Sequence, residues 1–153
     1  MFARNVNLGI KEANSDVIIL NDDAKLMTQY GFSQMQKYGK GIVAASIRGI
    51  VGNQHQLCTG GRGFRREYGP LCFIAVLIPK WVQDKIGLLD ERFTGYGFED
   101  NDYCRRAHEA GIPLWINDGC VVEHGSLRPT FRSDANWLHA MEDAHKIYQE
   151  KWS

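Results

Sequence analysis

The chain lacks the local signatures of several large functional classes. Its four cysteines, Cys58, Cys72, Cys104 and Cys120, are widely spaced and include no Cys-x-x-Cys pair, which excludes a zinc ribbon and a thioredoxin-type redox site. Free, mostly buried thiols in a reducing compartment are the simplest reading. Neither sign of charge is in excess: Lys plus Arg total 18 and Asp plus Glu total 18, so no long-range field favours nucleic acid or an anionic membrane. The longest apolar run, Leu71 to Ile78, falls far short of the roughly 20 residues that cross a bilayer. The first residues lack the charged, apolar and small-residue order of a secretory signal. A cytoplasmic protein is therefore expected. Also missing are a Gly-x-Gly-x-x-Gly after a strand, a Walker loop and a Gly-x-Ser-x-Gly elbow.

What is present is enough for one domain. A chain of 153 residues with 44% hydrophobic and 24% charged composition can bury a core, but it cannot hold two full domains. Val6, Ile10 and Ala13 recur at helical spacing before the turn cluster Asn14, Ser15, Asp16. Val17 to Leu20 is a continuous β-branched and aliphatic run, the pattern of a strand covered on both faces, and it stops at Asn21, Asp22, Asp23. Ala24 to Tyr38 reads as a helix and Ile42 to Ile47 as the next strand. From Arg48 to Pro70 periodicity is lost, and Gly60, Gly61, Gly63 and Gly69 interleave with Arg62, Arg65 and Arg66, which predicts a mobile loop. Leu71 to Ile78 reads as a strand ended by Pro79, and a short helical turn begins near Trp81. Acids crowd the start of a helix opening near Glu99, with Gly111 and Pro113 at its end. Leu114 to Ile116 and Val121 to Val122 read as two short strands. Trp137, Met141, Ala144, Tyr148 and Trp152 form a helical stripe that would pack on the domain or on a partner.

Three constellations can carry chemistry. Asp22 and Asp23, at the carboxyl end of a strand, offer hard oxygen ligands for Mg²⁺ or Mn²⁺, although a helix cap is an equally ordinary use of such acids. Asp100 shares a helix face with Tyr103, Cys104 and Ala107, and a carboxylate there can accept a proton from a substrate hydroxyl; capping is again the alternative. Glu99 and Asp102 fall elsewhere on the wheel, and Asp102 with Arg106 reads as a solvated ion pair. His124, two residues beyond Val122, is a candidate imidazole ligand, or else a packed residue. His55, His108, His139 and His145 have no ligand-spaced partners. Arg62, Arg65 and Arg66, with Arg128 and Arg132, can each fork a phosphate, while solvation is the common fate of such side chains.

The order Asn5-x-x-x-Gly9, Val17 to Asp23, Gly95 to Arg106 and Val122 to His124 resembles the family-2 glycosyltransferases of the GT-A fold. The resemblance covers nearly the whole chain, from about Ala3 to Trp152. It implies a single GT-A-like domain over residues 1–153, a truncated Rossmann-like α/β fold with a mostly parallel sheet flanked by helices. The nucleotide-binding strands that open the family's domain are expected to be missing before Ala3. The activity implied is a metal-dependent inverting transfer of a sugar from a nucleoside diphosphate sugar to the hydroxyl of a carbohydrate or other acceptor. Asn21, Asp22, Asp23 look like the family's Asp-x-Asp region, so Asp23, with Asp22 and His124, would hold Mn²⁺ or Mg²⁺. Glu99 and Asp100 look like its Glu-Asp motif, with Asp100 the base and Glu99 near the substrate. Arg62, Arg66, Arg128 or Arg132 would close over the diphosphate. The alternative is a catalytically weak remnant that binds a sugar, a diphosphate or a protein. Lacking its first strands, the sheet would keep an open edge, so a homo-oligomer is expected.

Overall fold

The computed structural model describes residues 2–125 and 136–153. The chain runs through α1 (Phe2–Ala13), β1 (Val17–Leu20), β2 (Ala24–Leu26), α2 (Gly31–Gln36) and β3 (Ile42–Gly49). A 3-10 turn (Gln54–Gln56), β4 (Phe64–Glu67), β5 (Ala75–Ile78), α3 (Lys80–Ile86), α4 (Glu99–Glu109), β6 (Leu114–His124) and α5 (Trp137–Trp152) follow.

The strands form one mixed sheet in the order β1-β5-β3-β6-β2, with β4 paired to β6. Four of its pairings are antiparallel and one, β3 with β6, is parallel. The expectation of a mostly parallel, Rossmann-like GT-A sheet is thereby overturned. It rested on uninterrupted apolar strands, and such runs report burial on both faces rather than direction. β5 is indeed buried at every position, yet it lies antiparallel to both neighbours. β1 and β2 are joined by only Asn21, Asp22 and Asp23.

That short link also sets the shape. β1 and β2 lie at opposite ends of the strand order. Four strand steps would separate them by ~19 Å in a flat sheet, whereas the four residues from Leu20 to Ala24 reach at most ~14 Å. The sheet therefore curls toward closure, like a barrel, and Asp22 and Asp23 bridge the gap.

Two apolar clusters cover its faces. One joins α1, α3 and α4 through Ala3, Ile10, Val82, Tyr103 and Ala107 to Ile42, Ala44, Val76, Ile78, Leu114 and Ile116. The other sets Met35 of α2 against Val43, Ala45, Ile47, Leu77 and Val122.

Several local expectations are corrected. Ala24 to Tyr38 is not one helix: Ala24, Lys25 and Leu26 pair with His124, Glu123 and Val122. At Gly31 an added Cβ would stand 2.7 Å from Thr28 Oγ1 and 2.9 Å from Cys120 Sγ, so the chain turns there before α2 begins. The stretch Arg48 to Pro70 contains a 3-10 turn and β4, the latter fixed by its pairing with Leu114 to Asn117. Leu114 to Ile116 and Val121 to Val122 belong to one strand, whose register on β3 passes from Ala45↔Asn117 directly to Ser46↔Val121. Asp118, Gly119 and Cys120 bulge out between them, which is why the sequence reads as an interruption. β1 has β5 as its one strand partner among the described residues, so it is an edge strand; its faces are nonetheless packed, Val17 and Ile19 against the first cluster and Ile18 against the second, and only Leu20, 41% exposed, lies open.

Candidate active site

The carboxyl ends of β1, β3 and β6 share one edge of the sheet. Asn21 N–H continues the β1 ladder onto Ile74 O at 2.9 Å, and Asn21 O accepts from Ala24 N–H at 3.1 Å, closing a turn with Asp22 and Asp23 in the middle. Asp22 is exposed and Asp23 is 7% exposed. Because β2 then pairs with the end of β6, Asp23 is carried to His124, whose Nε2 lies 3.3 Å from Asp23 Oδ1.

The histidine is held from behind. Its Nδ1 contacts Ile50 O at 2.5 Å, and Ile50 N–H donates to His124 O at 3.0 Å. A carbonyl oxygen only accepts, so Nδ1 carries the proton and Nε2 is left facing the carboxylate. In a neutral ring this sets the Nε2 lone pair toward the carboxylate. A carbonyl-oriented imidazole beside a carboxylate is also the arrangement by which proteins hold divalent metals. Two glycines make the approach possible. A Cβ at Gly49, where φ is +113°, would stand 2.1 Å from His124 O, and at Gly125, φ +90°, one would meet Ile50 Cδ1 at 2.9 Å.

Glu99 and Asp100 open α4. Phe98 before them has φ 71° and Gly97 φ 88°, and α5 stabilises this strained entry. The Phe98 ring stacks on His145 at 4.8 Å and lies 5.5 Å from Tyr148, and the Gly95 backbone passes so close to Ala140 O that a Cβ would sit 2.5 Å from it. The Asp100 carboxylate accepts N–H groups from Asn101, at 2.8 Å, and from Phe73. Phe73 adjoins Ile74, the acceptor for Asn21, so the two acidic pairs are tied to consecutive residues at the amino end of β5.

Burial raises both acids. Glu99 is pushed up to about 8 by desolvation and then by the Asp100 charge. Asp100 is pushed up to about 6 by desolvation, against which the backbone N–H groups pull down. Both carboxyls are thus held above the ordinary carboxylate range, Glu99 further than Asp100. A cavity of about 310 Å³ opens beside this turn, lined by Gly52, Asn53, Pro70, Leu71, Cys72 and Asn101.

The fold thus joins Asp23 to His124 and Glu99 to Asp100. Asp22 stands beside the first pair but faces solvent. Arg62 and Arg66 are not brought to this edge. Arg66 lies opposite Trp115, nine residues from His124 on β6, its guanidinium 5.2 Å from the Trp115 ring and 5.6 Å from that of Tyr68. Arg62 is exposed beside the bulge, and Arg65 is committed to Asp118. Arg128 and Arg132 lie outside the described residues. Among the described residues no group of three or more His, Cys, Asp or Glu side chains is arranged to hold a metal, and no helix is long and apolar enough to cross a membrane.

Two contributions escaped the sequence. Ile50 acts through its carbonyl, which no side-chain pattern reports; its only trace is the glycine at Gly49. Asp102 is fully buried, not solvated: it takes Arg106 Nε at 3.0 Å, Lys151 Nζ at 2.7 Å and Trp152 Nε1 at 2.9 Å, latching the end of α5 onto the first turn of α4.

No protein-family model matches the chain, and no curated protein sequence matches it significantly.

Proposed function

We propose that the protein is a metal-dependent inverting glycosyltransferase that moves a sugar from a nucleoside diphosphate sugar to an acceptor hydroxyl. The observation that carries this reading is the meeting, at one sheet edge, of a carboxylate–imidazole pair (Asp23, His124) with a carboxyl pair held above the ordinary carboxylate range (Glu99, Asp100). The residue order shared with family-2 glycosyltransferases supports it.

Asp23 and His124 fit a divalent cation: one hard oxygen and one oriented imidazole, with the remaining positions left for phosphate oxygens and water. Bound there, Mn²⁺ or Mg²⁺ would stabilise the negative charge of the departing diphosphate. Ile50 keeps the imidazole in its ligating tautomer. Asp100 accepts the proton of the acceptor hydroxyl as that oxygen bonds to the anomeric carbon from the face opposite the breaking bond to the diphosphate. With its carboxyl raised to about 6, Asp100 is both ionised and basic enough at neutral pH. Glu99, protonated, withholds a second negative charge from the site.

Calorimetry with Mn²⁺ and a panel of uridine, guanosine and thymidine diphosphates and their sugars, followed by transfer assays, tests the reading. Metal-dependent binding that survives Asp100→Asn, with transfer that does not, is the expected result. Binding without transfer in the unaltered chain would make the protein a binding module instead. Absence of binding to every member of the panel would sink both readings.

A further inference from the structure

No charged side chain lines the cavity of about 310 Å³ beside the opening of α4, which is walled by Gly52, Asn53, Pro70, Leu71, Cys72 and Asn101. Burial pushes the Cys72 thiol up, so it stays neutral and forms an apolar wall with Leu71 and the exposed Pro70. Asn53 is committed to the protein. Its side-chain N–H groups donate to Pro70 O at 2.9 Å and to Glu67 Oε2 at 3.3 Å, and its Oδ1 accepts from His55 N–H at 2.9 Å. Its own backbone N–H reaches Cys72 Sγ at 3.3 Å. Asn101 differs: its backbone N–H donates to Asp100 Oδ1 at 2.8 Å, yet its side-chain amide has no hydrogen-bond partner among the described residues. The Asp100 carboxylate is therefore tied to Asn101, which lines the cavity, and to Phe73, which follows the lining residue Cys72. Its charge is felt at the Cys72 thiol.

We infer, resting on the glycosyltransferase reading in which Asp100 takes the acceptor's proton, that this cavity receives the acceptor as a neutral glycoside with an apolar aglycone, and that Asn101 selects it. An acceptor bearing a carboxylate or phosphate would set a second anion beside Asp100 with no lining cation to offset it, and like charges so placed are strongly disfavoured. The Asn101 amide both donates and accepts, as a sugar hydroxyl does, and a site that hydrogen-bonds a hydroxyl discriminates better than an apolar one. Pro70 and Leu71 suit the aglycone. A volume of about 310 Å³ is at the small end of ligand sites, which favours one sugar unit over an extended chain.

Amide resonances of the isotope-labelled chain, followed without metal or nucleotide, test this. Phenyl β-glycosides of glucose, galactose and N-acetylglucosamine are the neutral probes, and phenyl β-glucuronide differs from the first only in its carboxylate. At least one neutral glycoside should shift the Gly52, Cys72 and Asn101 signals, with the glucuronide binding about tenfold more weakly than the glucoside. Asn101→Ala should weaken the neutral glycoside about fivefold, the worth of one neutral hydrogen bond, with the rest of the spectrum unchanged. Asn101→Lys supplies the missing cation and should reverse the preference toward the glucuronide, a change that a merely structural role for Asn101 would not produce. Absence of shifts with every neutral glycoside, equal binding of glucoside and glucuronide, or an unreversed preference in folded Asn101→Lys overturns the proposal. Because these titrations need neither metal nor nucleotide, their failure is distinct from a failure of metal-dependent nucleotide binding, which would strike the glycosyltransferase reading itself.

Discussion

Asp22 and Asp23 occupy a tight turn between two strands, where Asp22 meets solvent and Asp23 meets an imidazole. Glu99 and Asp100 occupy the first turn of a helix, half-buried, where backbone N–H groups reach them and the Cys72 and Cys104 thiols feel the Asp100 charge. In sequence the two are the same object, adjacent acids at an element boundary. Their surroundings separate them. The first pair presents Asp23 to the His124 imidazole. Among the described residues no cationic side chain acts on the second, so burial, opposed by backbone N–H groups, raises both carboxyls. In the proposed reaction one pair would serve charge neutralisation and the other proton transfer, since environment rather than residue type decides such roles.

The sharpest way to break this contrast is to neutralise one acid of each pair. Asp100→Asn should lower kcat by about 10²–10⁴-fold, the usual worth of a positioned general base, while metal-dependent nucleotide binding persists. Asp23→Asn should abolish that metal dependence in calorimetry. If the two substitutions gave the same phenotype, the division of labour would be wrong.

Next in size is the support beneath the second pair. Asp102 anchors Arg106, Lys151 and Trp152, and Lys151 also bonds Asp90 at 2.8 Å, holding that carboxyl well below its usual range together with Arg92, the larger influence. Asp102→Asn should cost about 2–3 kcal/mol in urea unfolding, because charged partners lose their acceptor. The exposed Lys80–Asp84 pair should cost no more than about 0.5 kcal/mol when Asp84 becomes Asn. Equal costs would mean that α5 is not latched through Asp102.

Residue pattern alone located α1, α4 and the strand Val17–Leu20, since helical spacing, end chemistry and apolar runs are local properties. It also picked out Asp23, His124, Glu99 and Asp100 as residues of interest. It misread direction and partnership. β2 looks helical because three residues carry no period, and they are strand only because β6 offers an edge to pair with. Asp102 looks solvated because its partners Lys151 and Trp152 are some fifty residues away. Phe64 to Glu67 look like part of a loop because glycines and arginines surround them, whereas pairing with β6 makes them strand and sets Arg66 opposite Trp115. Each miss is a long-range contact overriding a local signal.

The third test follows proton uptake. Both helix-start acids bind their protons more tightly folded than unfolded: Asp100 rises from 3.8 to about 6, and Glu99 from 4.5 to about 8. In that window the folded state carries more protons than the unfolded state, so stability falls as pH rises from about 4 to about 8. Asp100→Asn should remove its own share of the fall and bring the Glu99 titration downward, because the Asp100 charge is one cause of its rise. Carboxyl carbon resonances followed by NMR through this range would report both, and a Glu99 titration unmoved by Asp100→Asn would uncouple the pair. In the transfer assay the acid limb should lie near pH 6 as Asp100 loses its anion.

The smallest effect concerns the far end of β6. Trp115 and His124 are nine residues apart on that strand, a separation of up to about 30 Å at ~3.3 Å per residue, so nothing Arg66 does at Trp115 reaches the Asp23–His124 pair directly. Arg66→Ala should forfeit its stacking on two rings, about 0.5–1 kcal/mol of stability, and leave KM for the donor unchanged. A donor KM raised several-fold with stability intact would mean that Arg66 leaves Trp115 to meet the diphosphate. The carboxyl edge would then be only half of the site, and the contrast between the two acid pairs would have to admit a third, basic region that this fold keeps apart.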